Sequence, residues 1–484
     1  MATTTNMATG NTLDRWFEIT KRGATVAGEV RGGIVTFITM AYIVVLNPLI
    51  LGYVKDSTGL YLGGGTAPNI ALVAASTAIV AGVLTLIMGL YGRVPLGVAA
   101  GLGLNGFVAY GIASQTTWKA AMGLVVLEGI IIMVMVLTGF RRAVFNSVPR
   151  GLLYAIGVGI GLFITLIGFV DAGFVRAGIP LVKMGTGGTL TSWPEAVFVF
   201  GLLVTAVLVA RRTKGGILIG ILATTALALI VEAQLKLGPQ LPGGVNPNGW
   251  SLTVPKFDAN NIVSTPKFDL FGQIDLTGAF KFGAVAAVLA IFSLVLADFF
   301  DAMGTVYAVS TEAGILDENG EVPHFDQILQ ADAFAAALGG FGGTSSNTAY
   351  IESASGVGEG AKTGLASVVT GLLLLLSAFV APLTNVIPHE AATPALVIVG
   401  FLMMTHVKNI NFDDYEIGIP AFLTIVLMPF TYDIGVGIGA GFISYCAIKL
   451  FNGKTKEVKP LMWVVSVAFI AYFAIHPLRQ VFGV

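Results

Sequence analysis

Two aspartates interrupt an apolar run in the second half of the chain. The run begins near residue 282, and within Leu294–Thr305 it carries Asp298 and Asp301, three residues apart. On a helix both carboxylates share one face, and an acid at bilayer depth costs a few kcal/mol unless it lines a cavity or exchanges a proton. The spacing therefore predicts a functional site. The structural alternative is a pair of acids at a helix end that bonds to buried donors.

Composition places the chain among all-α polytopic membrane proteins, since 55% of its 484 residues are hydrophobic and only 11% are charged. The formal net charge of -1 gives no basic excess for nucleic acid. Cys446 is the single cysteine, and the chain has four histidines. No disulfide within the chain is available, and no haem, iron–sulfur cluster or zinc cofactor is predicted. The polar residues 1–11 predict no cleavable signal peptide.

The first half contains seven apolar runs that predict membrane crossings. They cover residues 32–52, 70–91, 95–112, 118–138, 152–170, 196–210 and 216–231. Pro48 is predicted to kink or end the first of them. The third run is rich in glycine from Gly97 to Phe107, which is unlike a good lipid-facing helix and predicts a broken span.

Basic residues between these runs predict the orientation. Arginines and lysines at 93, 141, 142, 150, 211, 212 and 214 fall on the side of the amino-terminal segment 1–31, which is therefore predicted to be cytoplasmic. After seven crossings the long connection 232–281 is placed outside the membrane. We expect it to be a solvated lid or spacer without chemistry of its own.

Seven further segments are predicted in the second half, beginning with the aspartate span. The others are a short apolar stretch at 331–338, a glycine-rich stretch at 342–358, and runs at 365–386, 392–405, 417–431 and 434–451. The acidic connection 311–330 is predicted to be cytoplasmic. The last apolar segment, 461–481, is predicted as either a fifteenth crossing or an interfacial hairpin.

Two halves with an odd number of crossings are inverted relative to each other, as in many transporters. In such proteins the broken segments of both halves meet at the midplane and supply the ligand site. The sequence therefore predicts that Leu102–Phe107 lies opposite Thr344–Glu352, beside the aspartate span.

Polar groups in these broken segments are candidate ligand contacts. Thr344, Ser345 and Ser346 offer hydroxyl and backbone groups. Glu352 is predicted in the first turn of a half-helix, where the helix dipole favours its charged form, and the alternative is a purely capping role. Asn105 is either a ligand contact or a residue of a local turn.

Lysine and arginine fall only at the ends of the predicted spans, which disfavours a substrate with a fixed negative charge. Carboxylates and backbone amides suit a flat, neutral molecule with several N–H donors and ring acceptors, such as a purine base. Phe300 is a candidate stacking residue, with bundle packing as the alternative.

The same acids offer a route for a coupling proton. We expect Glu352 to stay ionised and hold the base, while Asp301 takes up a proton outside and releases it inside. Asp298 is one turn away and can relay this proton. Glu128 is a lone acid in an apolar helix, which either joins the coupling or pairs with a polar neighbour across the bundle.

Four stretches carry a resemblance to a known family: Thr36–Pro48, Gly101–Asn105, Phe300–Thr305 and Gly342–Val357. They resemble the azaguanine-like adenine/guanine/hypoxanthine permeases of the nucleobase transporter superfamily. The resemblance implies fourteen helices in a seven-plus-seven inverted repeat and symport of purines with protons by elevator-like alternating access. It also implies that Asp301 and Glu352 hold the base and that Asn105 and the Gly-Thr-Ser-Ser run contact it.

On this resemblance the chain divides into a core and a gate domain. The core takes residues 32–140 and 282–386, the gate takes 148–231 and 392–451, and 452–484 forms a carboxy-terminal segment. The implied location is a plasma membrane, the inner membrane in a bacterium. A homodimer is one alternative for its assembly. An anion transporter of the same general fold and a passive channel remain open as other functions.

Overall fold

The computed structural model describes residues 12–139, 148–178, 181–185, 188–240, 246–281, 283–318 and 320–474, apart from the Phe300 side chain. This part of the chain is mostly helical. Ten of its helical segments are long and apolar enough to cross a membrane. The predicted class of an all-α polytopic membrane protein is therefore confirmed, whereas the count of fourteen crossings stays a prediction.

The first half begins with a short helix and continues through the predicted runs. Its helices are α1 (Thr12–Phe17), α2 (Val26–Met40), α3 (Ile43–Gly52), α4 (Ile70–Ile87), α5 (Leu102–Gly106), α6 (Trp118–Thr138), α7 (Arg150–Asp171), α8 (Trp193–Ala210) and α9 (Gly216–Leu235). Its strands are β1 (Val98–Ala100), β2 (Val175–Ala177) and β3 (Val182–Met184).

The second half has the same general organisation. Its helices are α10 (Ala284–Ala313), α11 (Phe325–Phe341), α12 (Ser353–Val357), α13 (Gly364–Ser377), α14 (His389–Met404), α15 (Tyr415–Thr431), α16 (Ile434–Phe451) and α17 (Pro460–Phe473). A single strand, β4 (Asn347–Ala349), precedes α12.

Side-chain caps define where several of the long helices begin. Thr25 accepts from the Gly28 N–H at 3.1 Å at the start of α2, and Asn69 accepts from the Leu72 N–H at 3.2 Å at the start of α4. Ser192 and Glu195 form a reciprocal capping box at α8. Each cap pairs an amide that the helix itself leaves unpaired.

The structure corrects the predicted course of the chain around α11. The stretch predicted at 331–338 is part of a 17-residue helix, and α10 continues to Ala313, so the connection predicted at 311–330 is much shorter. The start of this helix was not predicted because polar residues such as Asp326 and Gln330 interrupt the apolar pattern in its first turns. The helical hydrogen bonds nevertheless continue through these residues.

The carboxy-terminal segment is helical over its first part. α17 has 14 residues and packs against α16 and α10. The remainder of the predicted segment, from residue 475 onward, lies outside the described residues.

The long helices pack in two groups. The first contains α2, α3, α4, α6, α11 and α13, with α6 packed on α11 and α13 packed on both α2 and α4. The second contains α7, α8, α9, α14, α15 and α16, in which α14 and α15 pack on α7. Each group combines helices from both halves of the sequence, as expected for an inverted repeat.

Gly129 permits the close approach of α6 to α11. A Cβ atom at this position would meet the backbone of Ala337 and Ala333. We expect Gly129→Ala to lower the free energy of unfolding by about 1–3 kcal/mol, the usual cost of overpacking. Gly157→Ala is the matched control, since no atom lies within 4 Å of its added Cβ. A thiol-reactive dye can monitor melting because the only thiol, Cys446, is buried. Equal melting temperatures for both variants would contradict this packing.

Candidate functional site

The two glycine-rich segments meet, but the first pairs through residues 98–100, which precede the predicted stretch Leu102–Phe107. β1 and β4 pair antiparallel, with Val98 opposite Ala349 and Ala100 opposite Asn347. All six residues of these strands are buried. Short half-helices, α5 and α12, follow the strands, so each segment is extended first and helical afterwards. This arrangement brings backbone from both halves of the sequence to one place in the interior.

Glu352 lies at the junction between β4 and α12, where its side chain forms no capping bond. Instead, its Oε1 accepts a hydrogen bond from the Tyr42 hydroxyl, and Tyr42 is 1% exposed. Tyr42 occupies the short interruption between α2 and α3, whereas Pro48, the predicted kink, lies inside α3. The alternative that Glu352 acts only as a helix cap is thus not supported by its contacts.

The two aspartates of α10 have different surroundings. Asp301 is exposed and lies within electrostatic range of Glu352. Asp298 is 0% exposed, and neither of its carboxylate oxygens has a hydrogen-bond partner among the described residues. The two acids therefore share a helix face but differ in exposure. Asp301 also lies within electrostatic range of Asp298 and Asp332, so the two groups of acids are neighbours.

Asp298 lies within electrostatic range of Glu128 and Asp332, both of which are buried. Glu128 accepts from the Ser346 hydroxyl at 3.1 Å. Asp332 accepts from the Ala349 N–H at 3.1 Å and from the Thr348 hydroxyl at 3.3 Å. None of these three acids has an ion-pair partner in the described part of the chain. They form an acidic cluster behind β4, which we call the inner acid cluster.

Sequence reasoning missed Asp332 because the stretch 331–338, in which it lies, was predicted as a short apolar segment without functional residues. The available signal was its position in Gln330-Ala-Asp-Ala-Phe, where one acid stands alone among apolar residues. An isolated acid of this kind in a membrane helix is a functional candidate by default.

Asn105 ends a chain of hydrogen bonds whose direction is fixed. Asn47 Nδ2 donates to the Thr344 carbonyl oxygen at 3.2 Å and to Thr77 Oγ1 at 2.9 Å, so its Oδ1 must accept from Asn105 Nδ2 at 2.6 Å. Because a carbonyl oxygen can only accept, the orientation of both amides follows from the network. The Asn105 Oδ1 atom is left as a buried acceptor that has no partner among the residues that the structure describes.

Thr344, Ser345 and Ser346 are fully buried. The Thr344 and Ser346 hydroxyls form hydrogen bonds within the protein. Thr344 Oγ1 donates to the Gly339 carbonyl at 3.2 Å. Ser345 has φ +67°, a left-handed conformation that is uncommon outside glycine, and its hydroxyl has no partner among the described residues. Ser346 bonds to the inner acid cluster. The side chain of Phe300, the predicted stacking residue, lies outside the described residues.

A cavity of about 190 Å³ lies in the described part of the chain, but Asn105, Asp301 and Glu352 are not among its lining residues. It is lined by residues of the broken third segment, α10 and α16, which include Phe107, Ser293 and Gly435. The Ser293 hydroxyl is buried and has no hydrogen-bond partner in the described ranges of the chain. No group of three or more histidine, cysteine, aspartate or glutamate side chains that could hold a metal ion occurs in the described part of the chain.

The chain matches a known protein family in sequence and several solved structures in fold. The model of a protein family described as "Permease family" matches residues 27–439. The chain is 36% identical to a guanine/hypoxanthine permease of Bacillus subtilis over 95% of this chain and 99% of the relative. It is 35% identical to an adenine permease of Escherichia coli over 96% of this chain and 97% of the relative.

Solved structures with a similar fold include the transmembrane domain of a cyanobacterial bicarbonate transporter. The TM-score is 0.56 at 14% identity, with 86% of this chain and 96% of that chain covered. A murine solute carrier 26 anion transporter in the inward-facing state gives a TM-score of 0.56 at 11% identity, covering 93% of this chain and 74% of that one. At these identities the likeness concerns the fold alone.

Proposed function

Since the chain belongs to the permease family whose model spans residues 27–439, we propose that it is a secondary active transporter that takes up purine nucleobases together with protons. Adenine, guanine and hypoxanthine are the proposed substrates. Two relatives named as guanine/hypoxanthine and adenine permeases support this choice, because the match extends over nearly the whole of each chain.

The observation that carries the proposal is the partly buried Glu352 carboxylate, which lies just after the antiparallel pair of β1 and β4, accepts from Tyr42 and lies within electrostatic range of Asp301. Glu352 is oriented by Tyr42 and retains acceptor capacity for the ring N–H groups of a purine. Asn105 Oδ1 supplies a further acceptor whose direction is set by Asn47. Ligands with several N–H donors match this set of acceptors better than anions do.

Asp301 is the proposed carrier of the coupling proton, because it is accessible and lies next to the acid that holds the base. Asp298 and Glu128 are proposed to relay or tune this proton within the inner acid cluster, to which Asp332 now belongs. The cluster supports the proposal because closely spaced acids without basic partners cannot all carry charge at once.

The two groups of packed helices are the proposed domains of an elevator-like mechanism. The group containing α2, α3, α4, α6, α11 and α13, with α10 packed on α6, corresponds to the core with the broken segments. The group containing α7–α9 and α14–α16 corresponds to the gate. The amino terminus is proposed to be cytoplasmic in the plasma membrane. Homodimer formation is compatible with this arrangement.

An anion transporter is the second candidate, because the similar solved structures include transporters of anions. Uptake of labelled hypoxanthine and of labelled sulfate into membrane vesicles, with and without a proton gradient, separates the candidates. We expect gradient-dependent hypoxanthine uptake and no sulfate uptake. Sulfate uptake alone would favour the anion transporter, and uptake of hypoxanthine that never exceeds equilibrium would favour a channel.

Tyr42→Phe is expected to weaken hypoxanthine binding about three- to tenfold, which is roughly 0.7–1.4 kcal/mol, because Glu352 loses the hydroxyl that orients it. Calorimetric titration of the purified protein measures this change. Tyr61→Phe is the matched control, since the Lys55 ammonium lies over the Tyr61 ring at 5.4 Å, a contact that phenylalanine retains. Unchanged binding in Tyr42→Phe would remove Tyr42 from the site.

A further inference from the structure

The long loop after α9 is not only a solvated spacer, since parts of it are firmly docked. Trp250 is 0% exposed, and its indole N–H donates to Glu232 Oε2 at 2.8 Å. Trp250 and Val254 also join a cluster with Val197 and Val231 of α8 and α9. The segment from Trp250 to Val254 is therefore fixed to the proposed gate.

Ser251 forms further polar contacts with the proposed gate. Its N–H donates to Glu390 Oε1 at 2.8 Å, and its hydroxyl lies 2.8 Å from that oxygen and 3.1 Å from the Asp171 carbonyl oxygen. Glu390 belongs to α14 and Asp171 ends α7, so both acceptors lie in the gate. Glu390 is 1% exposed, which protects these bonds from competition by water.

Thr253 reaches across to the proposed core. Its hydroxyl hydrogen-bonds to the hydroxyl of Tyr53, the residue that follows α3. The Tyr53 ring also packs edge-on against His389 of α14, with 4.4 Å between the ring centres. Tyr53 is thus a point where the core meets both the gate and the loop that the gate carries.

Farther along, the described residues of the loop are hydrogen-bonded to the core. The Ser264 N–H donates to the Phe379 carbonyl at 2.9 Å, the Gly272 N–H to the Phe341 carbonyl at 2.9 Å, and the Asp275 N–H to the Lys119 carbonyl at 2.8 Å. Between the two attachments, residues 256–263 are mostly exposed. Fully extended, this stretch can span about 26 Å, so the covalent chain does not itself prevent a relative movement of the two groups.

We propose that Trp250–Val254 is a latch, which the gate carries and which holds the core through the bond between Thr253 and Tyr53. The bond opens in each transport cycle, and residues 256–263 provide the slack that lets the core move. This role rests on the proposed function, because it requires the two helix groups to move relative to each other. It makes Tyr53 and Thr253 determinants of the transport rate without contact to the substrate.

Cross-linking tests the latch directly. In a Cys446→Ala background, Tyr53→Cys and Thr253→Cys are joined with a reducible bis-methanethiosulfonate reagent in proteoliposomes. We expect hypoxanthine exchange to become at least about tenfold slower and to recover on reduction, because the domain movement is blocked. The control pair, Ser264→Cys with Phe379→Cys, joins the loop to the core where the two are already hydrogen-bonded, and its cross-link should leave exchange unchanged. If the cross-linked latch pair exchanges as fast as the control pair, the proposal is wrong.

A second measurement does not depend on the substrate. Amide hydrogen exchange at residues 251–254 is compared between the wild type and Tyr53→Phe, with Ser264–Asp275 as the internal reference. We expect exchange in the latch to become at least about threefold faster and the reference to stay unchanged. Equal exchange in both proteins overturns the latch. Absence of hypoxanthine exchange in the uncross-linked wild type would instead reject the proposed substrate, and the hydrogen exchange result would still decide the latch.

Discussion

Asp301→Asn is expected to abolish accumulation of purines against a gradient while leaving membrane insertion intact. An amide neither carries the charge nor exchanges the proton, so uptake should also lose its dependence on pH. Some binding should remain, because Glu352 keeps its position beside Tyr42. The measurement is accumulation of labelled hypoxanthine in proteoliposomes across a range of external pH.

Asp258→Asn is the matched control for this substitution. Asp258 is exposed in the long loop, where its carboxylate accepts from the Asn260 N–H at 3.0 Å, and the asparagine side chain can accept in the same way. We expect the control to accumulate hypoxanthine normally. Proton movement that still accompanies hypoxanthine in Asp301→Asn would transfer the coupling role to Asp298, Glu352 or Glu128.

Glu352→Gln is expected to lower purine affinity by about 1.5 to 3 kcal/mol, because a hydrogen bond to a charged acceptor contributes more than one to a neutral acceptor. This loss corresponds to about a 10- to 150-fold higher dissociation constant. Calorimetric titration of the purified variant with hypoxanthine measures the change. The exposed Glu318 provides the control substitution, Glu318→Gln, for which we expect no change.

An unchanged dissociation constant in Glu352→Gln would leave this residue with a structural role at the start of α12. The same titration at several pH values adds a second check. If Glu352 holds the base in its charged form, the glutamine variant should bind weakly at every pH at which the wild type binds well.

The sequence predicts those features that local pattern determines. Glycine-rich composition identified both broken segments, and the predicted inverted repeat placed them together. Their antiparallel pairing through β1 and β4 was not predicted. Isolated acids in apolar helices identified Asp298, Asp301 and Glu128. These predictions follow from one principle: polar side chains and irregular backbone are energetically costly in a membrane and therefore mark functional positions.

Contacts between distant parts of the chain escaped sequence reasoning. Tyr42 and Glu352 are separated by 310 residues, and nothing in the sequence near Tyr42 distinguishes it from other aromatic residues of the first span. Asp332 was not predicted as a candidate because it lies in the stretch 331–338, which was interpreted only as a short apolar segment. The docking of residues 250–254 was not predicted, because proline and asparagine in the long loop predict solvated structure. In the structure, Trp250 and Ser251 form hydrogen bonds with helices from both halves of the sequence.

Proton movement driven by hypoxanthine is the most direct test of proton-coupled purine uptake. Purified protein is reconstituted into liposomes that contain a pH-sensitive dye, and hypoxanthine is added outside without any initial gradient. We predict acidification of the lumen that saturates with hypoxanthine, fails with sulfate and disappears in Asp301→Asn. Hypoxanthine entry at the normal rate with no change in internal pH would contradict proton coupling.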